Sequence, residues 1–334
     1  MILIDEKKIF EVINSRKPSS IAINGPEALF PKIQETAKKI MENFTIPAYI
    51  IGDTCWGSCD LNTHAADVLG VDVLFNVGHT ISFETLGTNV VMINAYDDIE
   101  FDKIVTKFAT EIENREFKSI GLLTDSQHLT KIEPVKKLFE KFGFKVITGR
   151  GKGQLNEAQV FGCEFYPAYD IQNKIDAFVF LGQSMFHSVS IAMSTEKPTF
   201  MLDPYLNEYK EVNDYAIKLE KKAILSIYKA QEAEKIGMII GLKEGQFAKV
   251  KALKLKKILE ELGKEIQLFA ITEITEERLR NFKGIDAYIQ VACPRIATDN
   301  HFSKPVLSVP QAEALIKILK RQPIENFLQI RHWL

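Results

Sequence analysis

The residues best equipped for chemistry in this sequence are its four cysteines, Cys55, Cys59, Cys163 and Cys293. A thiolate is a nucleophile and a soft metal ligand. Four cysteines in 334 residues are too few for a disulfide scaffold, and a reducing compartment disfavours structural disulfides. Many such cysteines are only small buried hydrophobes, so their surroundings decide. Cys59 lies in GDTCWGSCD, a stretch rich in turn formers. Cys163 follows Gly162 and precedes the polar Glu164, and Cys293 lies in ACPR, where proline ends a strand and Arg295 adds positive charge. All three read as loop cysteines. Zinc and an iron–sulfur cluster are the two metal readings. Structural zinc takes four ligands, commonly from close CxxC pairs. CxxC is absent here, and the CxxxC of Cys55 and Cys59 is a poor match. Three distant thiolates suit a four-iron cluster with one iron left open to substrate.

The elements that must position these cysteines recur three times. VDVLFNVG (71–78), IDAFVFLG (175–182) and IDAYIQVA (285–292) each open on an apolar residue and Asp, then continue mainly apolar. Such runs suit strands buried on both faces, as in a parallel sheet. Fifty to fifty-six residues upstream stand SIAING (20–25), SIGLLTD (119–125) and KIGMIIGL (235–242). Amphipathic helices are predicted over 28–44, 133–143 and 247–263, and middle strands over 48–53, 145–149 and 266–272. In the third helix, Val250, Leu253, Ile258 and Leu262 read as the apolar face. The stretch 203–234 reads as a polar helical connection. The predicted fold is α/β, with three homologous parallel-sheet domains arranged around a shared central site, over 1–105, 106–210 and 211–334.

Cys59 stands twelve residues before its echo strand and Cys163 twelve before its own, so the two are repeat-equivalent. Cys55 has no cysteine counterpart, because its slot in the second unit holds Gln159. Cys293 directly follows its strand, in the slot that His79 and Gln183 fill in the other units. Loops beyond strand C-termini are where parallel α/β sheets bind ligands, so the three cysteine loops are expected to face one site.

Net charge is −2, without the basic surplus of a phosphate-backbone binder, so no direct nucleic-acid partner is expected. No run approaches the roughly 18 apolar residues that span a bilayer. The opening MILIDEKKIFEVINSRKP breaks its apolar stretch with Asp5, Glu6, Lys7 and Lys8, unlike a signal peptide. A cytoplasmic protein with no membrane partner is expected.

GDTCWGSCDLNTHAADVLGVDVLFNVGH (52–79), VFGC (160–163), IDAFVFLGQSMFH (175–187), IDAYIQVACPRIATD (285–299) and FSKPVLSVPQAE (302–313) together resemble the diphthamide-synthesis enzymes of archaeal type, the 2-(3-amino-3-carboxypropyl)histidine synthases. The likeness is colinear across all three units. It implies three homologous α/β domains, each giving one cysteine (Cys59, Cys163 and Cys293) to a [4Fe–4S] cluster. It implies a non-conventional radical enzyme, without CxxxCxxC, that cleaves S-adenosylmethionine. The 3-amino-3-carboxypropyl group then passes to C2 of a histidine of translation elongation factor 2, and methylthioadenosine is released. A homodimer and an outside electron donor, whose identity the sequence leaves open, are also implied. Arg295 is a candidate partner for the S-adenosylmethionine carboxylate, since a guanidinium fork matches it. Gln183, Ser184, His79 and His187 are further candidates for that pocket, and Gln183 stands where many family members carry Asp. Two rivals remain open: a Lewis-acid dehydratase or condensing enzyme of quinolinate-synthase type, which also has three α/β repeats and three cysteines, and a non-enzymatic triplicated binding scaffold.

Overall fold

The structure, a computed structural model, describes residues 2–78, 80, 82, 89–112, 115–299 and 301–333. Among these, three sheets follow one another along the chain. The first contains β1 (Ile2–Ile4), β2 (Ile21–Asn24), β3 (Ala48–Ile50), β4 (Val73–Gly78) and β5 (Val90–Asp97). The second contains β6 (Ser119–Thr124), β7 (Lys145–Ile147), β8 (Ala177–Leu181), β9 (Thr199–Asp203) and β10 (Glu208–Glu211). The third contains β11 (Lys235–Gly241), β12 (Glu265–Ile271), β13 (Ala287–Gln290) and β14 (Val306–Leu307).

One strand order underlies all three: β5-β4-β2-β3, β9-β8-β6-β7 and β14-β13-β11-β12. Every pairing within those sets is parallel. The first two sheets add an antiparallel edge, β1 on β5 and β10 on β9. The order reverses direction between β2 and β4, β6 and β8, and β11 and β13. In doubly wound sheets this switch point opens the crevice that takes ligands.

The echo motif has a physical reason. Its Asp precedes the central strand and ties down the start of the neighbouring one. Asp72 accepts from the Ser19 N–H and hydroxyl, Asp176 from the Lys118 and Ser119 N–H groups and the Ser119 hydroxyl, and Asp286 from the Glu234 and Lys235 N–H groups. The strand interiors match in size as well. Gly121 is paired with Phe178 and Gly237 with Tyr288. A Cβ on either glycine would lie 2.7 or 2.5 Å from the facing ring, so only glycine admits the aromatic. The first sheet uses Ala22 opposite the smaller Leu74.

Alternation within these buried strands builds a core on each face. In the first sheet Ile21, Ile23 and Phe75 pack with Ile9, Ile33 and Ile40, while Ala22 and Leu74 pack with Ile51, Leu61 and Met92 on the other face. The helix Phe30–Phe44 buries Ile33, Ala37 and Ile40, and the helix Ile132–Lys141 buries Ile132, Val135 and Phe139, so each turns one apolar face inward. The helix Lys249–Glu261 does not bury the face expected from its sequence. It buries Ala252, Leu255 and Leu259, whereas Val250 is 84% exposed and Leu253 41%. Two apolar stripes with lysines between them run along this helix, and the stripe of smaller residues packs. The stretch 203–234 is also corrected: it opens with the antiparallel β10 before the helix Asn213–Gln231 begins.

The chain forms two compact units. The first holds residues up to Phe161, with Tyr166–Met185 and Thr199–Glu211. The second holds Gly162–Phe165, Phe186–Pro198 and Val212–Leu334. No helix among the described residues is long and apolar enough to cross a membrane.

One carboxylate just past β6 makes stability depend on pH. Asp125 is buried at 4% exposure and accepts from the Gln127 N–H at 2.9 Å. Burial pushes its pKa up from 3.8 to about 7, against the pull of the Gln127 and His128 N–H groups. The folded state therefore holds a proton that the unfolded chain releases. The stability this contributes is full below pH 3.8 and is lost as pH rises through about 7. Asp125→Asn keeps the accepting oxygen without the charge. It is expected to raise the melting temperature by a few degrees at pH 8 and to leave it nearly unchanged at pH 4, as measured by circular dichroism.

Candidate functional site

Each cysteine segment leaves the C-terminal end of a parallel strand, where its backbone has no ladder to join. Buried amide side chains supply the missing partners. Asn24 and Asn76 face each other at the ends of β2 and β4, on the switch point of the first sheet. The Asn24 amide donates to Asn76 Oδ1 at 2.7 Å and to the Asp60 carbonyl at 3.2 Å, and accepts from Asn62 at 3.0 Å. Asp60 accepts from the Trp56 N–H at 3.3 Å. These bonds fold the loop carrying Cys59 over the switch point, and Leu61 anchors it to the core below. The Cys59 side chain is half-buried in this loop.

Cys55 sits deeper and is bound into the loop itself. Its thiol donates to the Asp60 carbonyl at 3.3 Å and receives the Asn24 amide at 3.4 Å. Gln159, its counterpart in the second sheet, has a similar task. It is fully buried, accepts from the Asn156 N–H and side-chain amide at 3.0 and 2.8 Å, and donates to the Thr80 hydroxyl at 2.9 Å. Around it, the Thr124 N–H donates to the Ala158 carbonyl and the Val160 N–H to the Thr124 carbonyl, each at 2.9 Å. This brings the stretch leading to Cys163 across the end of β6.

Cys163 itself is buried and pairs with the last described residues of the chain. Its carbonyl accepts from the Trp333 N–H at 2.9 Å, the Phe165 N–H donates to the Arg331 carbonyl at 2.8 Å, and the Phe165 and Trp333 rings meet edge-on at 4.8 Å. Cys293 follows β13, where the buried Gln290 donates to the Cys293 carbonyl and accepts from the Ala292 N–H, both at 2.8 Å. Burial pushes the Cys293 thiol pKa up, while the Arg295 N–H, the Arg295 charge and the Ile296 N–H draw it back.

The other residues singled out from the sequence fall in both units. Gln183 is exposed and Ser184 half-buried in the turn after β8, in the first unit. His187 is buried in the helix Met185–Thr195 of the second unit, its ring edge-on to Phe186 at 5.0 Å. His79 lies outside the described residues. Arg295 has protein partners in the second unit. Its fork grips Asp299, Nε donating at 3.1 Å and the second terminal nitrogen lying at 2.9 Å, while the first donates to the Ser190 hydroxyl. Sequence reasoning missed Asn24, Asn76 and Gln290 as loop holders. Their signal was available: each is a polar residue inside an apolar strand run, and buried amides in such places are there to be bonded.

None of the four cysteines is in a disulfide. Cys59 belongs to the first unit, and Cys163 and Cys293 to the second. Among the described residues, no three His, Cys, Asp or Glu side chains converge as ligands of a single metal ion. Cluster ligands bind separate irons and so stand farther apart than the ligands of one ion. Thiols on strand-end loops are the donor type that an iron–sulfur cluster takes.

Fold and site together define a triplicated, mostly parallel α/β protein whose strand-end loops carry cysteines. The family model for diphthamide synthesis proteins matches residues 25–326, and the chain belongs to that family. The 2-(3-amino-3-carboxypropyl)histidine synthase of Pyrococcus horikoshii is 26% identical over 328 residues, covering 97% of this chain and 94% of its own. The enzyme of the same name from Methanocaldococcus jannaschii is 27% identical, covering 93% and 89%. Among solved structures, that of Dph2 from Pyrococcus horikoshii with a 4Fe–4S cluster superimposes with a TM-score of 0.86 at 27% identity, covering 95% of this chain and 92% of that one.

The loop-holding role of Asn24 is open to test. Asn24→Leu strands the polar groups of Asn76, Asn62 and Asp60, at a cost of about 2 kcal/mol or more. Hydrogen exchange is expected to quicken across residues 52–62, and urea melts to shift accordingly. Unchanged protection there would remove Asn24 from this role.

Proposed function

We propose that this protein catalyses the first step of diphthamide formation. It would transfer a 3-amino-3-carboxypropyl group from S-adenosylmethionine to C2 of a histidine of translation elongation factor 2. The observation that carries this reading is the end-to-end match with a relative of that name, whose solved structure holds a 4Fe–4S cluster. The donor set of this chain supports it: Cys59, Cys163 and Cys293 are proposed to hold the cluster, and Cys55 to keep only its place in the loop. When bound, the cluster supplies the electron that breaks the bond between sulfur and Cγ of S-adenosylmethionine.

The chain's own residues orient and hold. Three protein thiolates on four irons leave one iron without a protein ligand. Gln183 and Ser184 offer an amide and a hydroxyl to the co-substrate at the end of β8. A neutral amide in place of a carboxylate lets position 183 donate to an anionic group as well as accept. His187 is read as a packing residue, since it is buried against Phe186. We further propose the three domains expected over 1–105, 106–210 and 211–334, each built on one sheet, except that the second ends at Glu211 and the third begins at 212, which keeps β10 whole. A homodimer in the cytoplasm, drawing electrons from a separate donor, completes the reading.

Anaerobic reconstitution with iron and sulfide tests it. Addition of dithionite, elongation factor 2 and labelled S-adenosylmethionine is expected to release methylthioadenosine and to label one histidine. Label-free factor and intact S-adenosylmethionine, with the cluster in place, would favour a Lewis-acid role instead. A colourless, iron-free protein would favour a binding scaffold. Cys59→Ala, Cys163→Ala and Cys293→Ala are each expected to lose most of the iron and all turnover, whereas Cys55→Ala keeps both. Normal iron content in Cys163→Ala would sink the ligand assignment.

A further inference from the structure

Phe186 links the segments of two cysteines. It is the second residue of the helix Met185–Thr195, and it, Gly162, Ser190 and Arg295 all belong to the second unit. Its ring lies so close to Gly162, the residue before Cys163, that a Cβ there would stand 2.0 Å from the ring edge. Only a bare Cα fits. The guanidinium carbon of Arg295, two residues beyond Cys293, lies 4.4 Å from the centre of the same ring.

Arg295 is itself fixed. It is 5% exposed, and a guanidinium that is buried needs its charge met. Asp299 meets it from one helical turn on. The ring face of Phe186 adds a cation–π contact, stronger where water is excluded. Ser190, one turn along from Phe186, accepts from the guanidinium and donates to the Phe186 carbonyl at 2.8 Å. The backbone before Cys163, the ring, the guanidinium and the helix after Cys293 therefore form a continuous contact chain.

We propose that Phe186 and Arg295 are positioning residues that set the spacing of the Cys163 and Cys293 thiolates. This rests on the assignment of those cysteines as cluster ligands. Phe186 is the spacer, and Arg295 is the clamp that presses the Cys293 segment against it. Groups standing behind metal ligands commonly change metal affinity by about 10- to 100-fold when removed.

The experiment compares reconstituted Phe186→Leu, Phe186→Tyr, Arg295→Lys and Gly162→Ala with the unaltered protein. Tyr288→Leu serves as a control that removes a more deeply buried ring from the third sheet, and Cys163→Ala as a control for the ligand assignment. Readouts are iron release to a chelator, the low-temperature EPR signal of the reduced cluster, and the melting temperature. Phe186→Leu, Arg295→Lys and Gly162→Ala are expected to release iron about tenfold faster and to shift the EPR g-values. Phe186→Tyr should restore both. Tyr288→Leu should lower the melting temperature and leave the EPR signal unchanged. The proposal is overturned if Phe186→Leu, or Gly162→Ala should Phe186→Leu fail to fold, keeps the unaltered g-values and release rate while Cys163→Ala loses its iron. If Cys163→Ala keeps its iron, the ligand assignment falls, and this proposal falls with it.

Discussion

A parallel sheet satisfies its own backbone only as far as its strands run. Beyond the C-terminal ends, each emerging peptide group needs a partner, and burial makes an unmet one costly. Here the partners are amide side chains with almost no exposure: Asn24 and Asn76 in the first sheet, Gln159 in the second and Gln290 in the third. Each sits at or beside a strand end and bonds the loop that carries or leads to a cysteine. A flexible loop would give a thiolate no defined direction. These bonds turn strand-end loops into fixed supports, as positioned side chains require.

The repeat explains why the supports resemble one another without being copies. All three sheets share one strand order, an Asp that ties down the first strand, and a small residue opposite a larger one. On this common frame the cysteines diverge. Cys59 and Cys163 leave the edge strands β3 and β7, whereas Cys293 leaves the inner strand β13. Cys55 and Gln159 fill one equivalent slot, and both are bonded into their loops. The thiol at that slot therefore does the work of an amide in its loop.

Family membership and local geometry support each other at different levels. The match over residues 25–326 defines the family, and the likeness to the Pyrococcus horikoshii structure extends over nearly the whole of both chains. Identity near one residue in four leaves local arrangements to this chain's own side chains. Arg295 is an instructive case: residue type alone gives its capacity to grip a carboxylate, and the structure adds Asp299 as a protein partner.

The sequence alone determined the central strands, because buried parallel strands must be continuously apolar. It also determined the equivalence of Cys59 and Cys163, because both are counted from such strands, and the family, because five motifs lie in one order. Edge strands such as β1 and β14, with three and two residues, carry too little pattern to be read. The buried face of the helix Lys249–Glu261 was undecidable between two apolar stripes until a sheet lay against one of them. The partners of Arg295, the commitment of Cys55 and the contact of Phe186 with Gly162 were settled only by tertiary structure. Each depends on which groups meet across loops and helices far apart in the chain, and residue type and spacing record what a side chain is able to bond, not which neighbour arrives to bond it.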